Sequence, residues 1–187
     1  MVKNLLVSIG SCIAVLLLLE GLARLHFLLD EVDIEALPEY FADTDGYLRF
    51  DPVLGWSLKP GYKHNGIQVN SLGLRSSLDD IETDCRGKRR ILLLGDSMLF
   101  GLGMPQHLIF SEILNSQSED YCFINTGVEG YSTVQEYLTA RTHMERLAPE
   151  HVVLFYTQEN DMWRNARDGN FNPSATLRGD ELEFFVP

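Results

Sequence analysis

At 187 residues the chain has room for about one domain and an appendage, and its 45% hydrophobic and 22% charged content suits a protein that buries a core. The formal charge of -12, from 27 acidic and 15 basic residues, gives a surface that repels phosphate backbones and argues against a nucleic-acid partner. Cys12, Cys85 and Cys122 lack metal-ligand spacing. Three separate thiols are the plain reading and a Cys85–Cys122 bridge is the alternative. No metal and no cofactor is implied: Gly95, Gly101 and Gly103 fit neither a dinucleotide fingerprint nor a P-loop.

The chain opens on an apolar run, Leu5–Leu19, preceded by Lys3 and followed by Glu20 and Arg24, with HFLL carrying the hydrophobicity to Leu29. An uncleaved signal-anchor over 1–29, spanning the membrane once with the C-terminal domain extracytoplasmic, is the reading adopted. A cleaved signal peptide, giving a secreted protein, and a buried helix are the alternatives. Residues 30–88 form a linker and lead-in: an acidic, aromatic stretch at Asp30–Asp45, then DPVLGWSLKPG and YKHNGIQVNSLGLRS, short segments punctuated by Gly, Pro and Asn that predict turns and short strands. Trp56 reads as a packing anchor.

Residues 89–187 alternate. Ile91–Leu94 is a wholly apolar strand, covered on both faces. A helix is predicted over about 105–117, a second strand at Tyr121–Ile124, and a helix from Thr133 to the stop at Pro149, with Thr133 and Glu136 as a capping box. Val152–Tyr156 is the third strand, and Leu177–Phe185 a small hairpin about Gly179 and Asp180. Strand–helix–strand–helix–strand predicts an α/β fold with a parallel sheet.

Each of the three strands ends in residues that suit catalysis, and adjacent parallel strands bring their ends to one edge. GDS follows the first, NTGVEG the second and QEND the third. Ser97 is the candidate nucleophile. The backbone N–H groups of Ser97 and Gly130 and the side-chain amide of Asn160 are candidate donors to an oxyanion. Gly130 has no Cβ to keep a substrate from its backbone. Asp96 reads as an acceptor of loop hydrogen bonds.

GDSMLFG, NTGVEGYST and QENDMW resemble, in order, the nucleophile, glycine and asparagine blocks of the SGNH/GDSL hydrolases, and the lead-in resembles that of their membrane-anchored bacterial subgroup. The resemblance covers about residues 51–187. It implies a three-layer α/β/α, flavodoxin-like parallel sheet, incomplete at the C-terminus, with Ser97, Gly130 and Asn160 as catalytic residues. Two departures stand out: Gln158 replaces the usual glycine of the asparagine block, and no Asp-x-x-His block supplies the base and its orienting acid.

The five histidines do not fill that gap. His26 adjoins the apolar segment, His64 lies in the lead-in, His107 begins the helix after the nucleophile loop and His143 reads as a helix-surface residue. His151 begins the third strand, roughly 15–20 Å from the edge that carries Ser97 at ~3.3 Å per residue. The expectation is a chain that continues for about another 100–200 residues with the base near its end. The functional expectation is a serine esterase or O-acyltransferase, inactive as this fragment, acting on a small-molecule, lipid or polysaccharide ester. A non-catalytic cell-envelope binding or assembly protein is the alternative.

Overall fold

The computed structural model describes residues 2–29, 46–165, 172–179 and 181–185, without the side chains of 2–9, 26–29, 159, 160 and 163. The expected linker at 30–45 and part of the loop after residue 165 lie outside the described residues. The chain divides into two compact units, Met1–Asp33 and Ile34–Pro187.

The first unit is a helix, α1 (Val2–Leu29). Among the described residues no helix is long and apolar enough to cross a membrane. This corrects the expected transmembrane anchor, the membrane as a partner and the single-pass location. The physical reason is a charged pair within the helix: Glu20 and Arg24, ion-paired at 2.8 Å one helical turn apart, interrupt its apolar surface.

Among the described residues the second unit holds four separate sheets. β1 (Leu48–Asp51) pairs antiparallel with β2 (Gly55–Leu58), and β3 (Lys63–His64) with β4 (Ile67–Gln68). β5 (Arg89–Gly95) lies between β6 (Tyr121–Asn125) and β7 (His151–Phe155), parallel to both. β8 (Ser174–Arg178) and β9 (Glu181–Phe185) form an antiparallel hairpin. The expected three-layer, flavodoxin-like sheet is therefore corrected. Among the described residues parallel pairing is confined to three strands, and the Gly- and Pro-punctuated lead-in closes on itself as hairpins.

The helices of this unit are α2 (Ile81–Asp84), α3 (Ser97–Phe100), α4 (Phe110–Gln117), α5 (Thr133–Leu147) and α6 (Gln158–Asn165). A 3-10 turn at Gln106–Leu108 precedes α4. The capping box of α5 sits one residue earlier than the sequence reading put it. Ser132 Oγ accepts from the Gln135 N–H, and Gln135 Oε1 accepts from the Ser132 N–H at 2.9 Å. The helix ends at Ala148 in the left-handed conformation, φ 42°, just before Pro149.

Two apolar clusters hold the unit together. Leu92, Leu94, Cys122, Ile124 and Leu147 pack with Leu74, Ile81 and Cys85 of the lead-in. Trp56, Leu58 and Val69 pack with Phe100, Val128 and Tyr131. The first cluster contains a disulfide, Cys85–Cys122, which joins the segment before β5 to β6. Of the two cysteine readings, the bridge is the one realised. Cys12 is a free, exposed thiol.

Candidate functional site

Ser97 is the first residue of α3 and directly follows β5, the middle strand of the parallel sheet. Gly95 permits this abrupt change of direction, since a Cβ there would meet Leu99 Cβ at 2.8 Å and Phe155 Cβ at 3.1 Å. Asp96, buried, caps the helix: its Oδ1 accepts from the Met98 N–H at 2.9 Å. Gly101 closes the turn in the left-handed conformation, φ 79°, with its N–H bonded to the Ser97 carbonyl. Ser97 is half-buried, and among the described residues none hydrogen-bonds its hydroxyl.

The loop carrying Ser97 is braced from below by Arg75, a residue the sequence reading noted only as part of the lead-in. Its side chain is fully buried. Nη1 donates to the carbonyls of Phe100 (2.9 Å) and Gly101 (2.8 Å), Nη2 donates to Met104 O (2.5 Å), and Nε donates to Gln106 Oε1 (3.3 Å). Its guanidinium lies 4.4 Å from the Phe100 ring centroid, and Tyr47 stacks on the same ring at 5.2 Å. Burial lowers the Arg75 pKa, yet an arginine stays charged.

The loop after β6 is stitched to the same edge. Thr126 donates its N–H and its hydroxyl to Leu93 O, and the Val128 N–H bonds Gly95 O. Asn125, buried, donates from Nδ2 to Leu99 O at 3.0 Å and accepts from the Gly127 N–H at 2.8 Å. Gly130 has φ 75°, a conformation that favours glycine. The lead-in supports it: Trp56 Nε1 donates to Glu129 O, Tyr131 OH donates to Trp56 O, and Tyr47 OH donates to Glu129 Oε2. Trp56 is thus a buried anchor beneath the glycine loop. Burial first, and the Glu129 carboxylate second, push the Tyr47 hydroxyl pKa up.

α6 supplies the third edge. Asn160 lies in this helix, but its side chain is outside the described residues. Asp161, buried, accepts from the Thr157 N–H at 2.7 Å, which ties the helix to the end of β7. One turn further on is Arg164, whose Nη2 and Nη1 lie 3.4 and 3.5 Å from where a Cβ on Gly130 would stand. Ser97 and Gly130 are therefore carried on loops bonded to each other. Arg164 brings α6 close to the Gly130 loop.

Beneath this edge is a residue that the sequence reading used only as a helix cap. Glu136 on α5 is buried, and among the described residues neither carboxyl oxygen has a hydrogen-bond partner. Burial, then Asp161 and Asp96, push its pKa up to about 8. Burial also raises Asp161. The i, i+3 spacing of Glu136 from Thr133 and Thr139 was the available signal: a polar stripe on a helix that must pack.

Among the described histidines, none is shown bonded to Ser97. His151 is at the far end of β7, 3.1 Å from Arg89 Nη2. His143 is on α5 with its pKa lowered by burial, His64 packs edge-on against Tyr62, and His107 lies in the 3-10 turn. Two clefts, of about 460 and 150 Å3, are lined by neither Ser97 nor Gly130. Among the described residues no group of His, Cys, Asp and Glu could hold a metal ion.

No protein-family model matches the chain, and no curated protein matches it. This corrects the resemblance to the SGNH/GDSL hydrolases. The three blocks are short, and the glycine, aspartate, serine and asparagine that carry them are residue types that turns commonly recruit.

Proposed function

We propose that the edge formed by Ser97 and Gly130 is a ligand-recognition site, and that the chain acts as a non-catalytic binding or assembly protein. The observation that carries this reading is where the imidazoles are. His151 is engaged with Arg89 at the opposite end of the sheet, and His64 packs on Tyr62 in the lead-in. A serine hydroxyl needs a base within hydrogen-bond reach to attack an acyl carbon. The backbone around Ser97 is nevertheless rigid, clamped by Arg75, Asn125 and Thr126, as a recognition surface requires.

A second reading is a serine esterase or O-acyltransferase acting on ester-linked acyl groups, with Ser97, Gly130 and Asn160 as catalytic residues. It is supported by the half-buried Ser97 at the first position of a helix directly after the central parallel strand. There the Ser97 oxygen would attack the acyl carbon and the alcohol would leave. Water, or a second hydroxyl, would then release the acyl group. Labelling of the full chain with a fluorophosphonate separates the two. Binding predicts no covalent adduct in a folded protein. An adduct on wild type that is lost in Ser97→Ala would overturn the binding reading in favour of the enzyme.

A further inference from the structure

Arg164 gives the recognition site a sign. The chain carries 27 acidic residues against 15 basic ones. An arginine that is half-buried beside such a surface would ordinarily be ion-paired. Among the described residues Arg164 has no ion pair and no hydrogen bond. The adjacent acids are turned to other tasks: Glu129 accepts from the Tyr47 hydroxyl, and Asp161 accepts from the Thr157 N–H.

The guanidinium stands beside the glycine loop. Its Nη2 and Nη1 lie 3.4 and 3.5 Å from where a Cβ on Gly130 would stand, and Trp56 Cζ2 lies 3.3 Å from that same position. With no acceptor bonded to it among the described residues, its donors are left for water or for a ligand. The planar fork matches a carboxylate or a phosphate, which it can hold through two parallel bonds. A Cβ at position 130 would stand in ordinary contact with the guanidinium and slightly tight against Trp56, and it is the left-handed φ of 75° that favours glycine there.

We infer that Arg164 is the anion-recognising residue of the Ser97–Gly130 edge, and that the ligand carries a carboxylate or phosphate beside its ester or hydroxyl groups. This rests on the recognition reading above.

The test uses the full chain and a matched pair of probes, monomethyl glutarate and its neutral isostere dimethyl glutarate, with inorganic phosphate as a third. Binding is read by calorimetry and by the fluorescence of the tryptophans, one of which, Trp56, borders the guanidinium. Wild type is expected to bind the monoester at least tenfold more tightly than the diester. Arg164→Gln should abolish that preference and Arg164→Lys should keep part of it, with thermal melts unchanged. Equal affinity for the two esters, or a preference that survives Arg164→Gln, would overturn the inference. If neither ester binds but phosphate does, in an Arg164-dependent way, the anion site stands and the ester part of this inference is overturned. If no probe binds, both fail.

Discussion

Burial first, and the neighbouring Asp161 and Asp96 after it, push the Glu136 pKa up to about 8, so that the carboxyl favours its protonated form at neutral pH. In the unfolded chain the same carboxyl loses its proton near pH 4.5. Between that value and about pH 8 the folded state binds more protons than the unfolded one, so this residue's contribution to stability falls as pH rises through the window. Glu136→Gln should therefore flatten the pH dependence of thermal stability. Its melting temperature should meet that of wild type near pH 5 and exceed it by a widening margin towards pH 8. A constant offset across the range would show that the carboxyl does not titrate there. Arg75 poses the opposite problem, a permanent charge in the interior, and solves it with three carbonyls, one amide oxygen and an aromatic face.

At the scale of elements, the short helix α3 owes its position to contact with backbone. A Cβ on Gly127 would meet Phe100 N at 2.7 Å and Leu99 C at 3.0 Å, and neither can rotate out of the way. Gly127→Ala should cost roughly 1–3 kcal/mol, as overpacking does, seen as a lowered urea midpoint with an unchanged slope. It should also weaken ligand binding at Ser97, since α3 must lift away from the β6 loop. Elements of this kind were legible where apolar runs are bounded by turn residues. The strands expected at 91–94, 121–124 and 152–156 are found at Arg89–Gly95, Tyr121–Asn125 and His151–Phe155. Register within a cap was not legible: Ser132–Gln135 and Thr133–Glu136 satisfy the same four-residue pattern, and tertiary packing selects the first. The partition of strands into separate sheets was also hidden, because the pairing of a short strand depends on distant neighbours. The N-terminal reading failed differently. A hydrophobic run was extended across Glu20 and Arg24 to reach a membrane's thickness.

At the scale of the whole second unit, the hydrophobic clusters join the lead-in to the sheet, and the disulfide makes that junction covalent. The bridge closes a loop of 37 residues, and such a closure contributes about 3–4 kcal/mol by restricting the unfolded chain. Replacing Cys85 and Cys122 together by serine should lower the urea unfolding free energy by about that amount. Wild type in excess reductant should shift by a similar margin. An unchanged midpoint in both would argue that the bridge adds nothing to the fold. The pairing could not be read from three cysteines, since the sequence alone does not say which thiols meet. The corrected family reading has the same root: Ser97, Gly130 and Asn160 were legible as polar strand ends, but Arg164 and Arg75 become meaningful only once the glycine loop and the buried carbonyls are in place.

The bridge has one more consequence. Everything from β5 through α4, Ser97 included, lies within the covalent ring that Cys85 and Cys122 close. A single peptide cut anywhere between them turns the chain into two fragments that still travel as one molecule. The segment that bears the serine is thus tethered at both ends, and nicking alone cannot shed it.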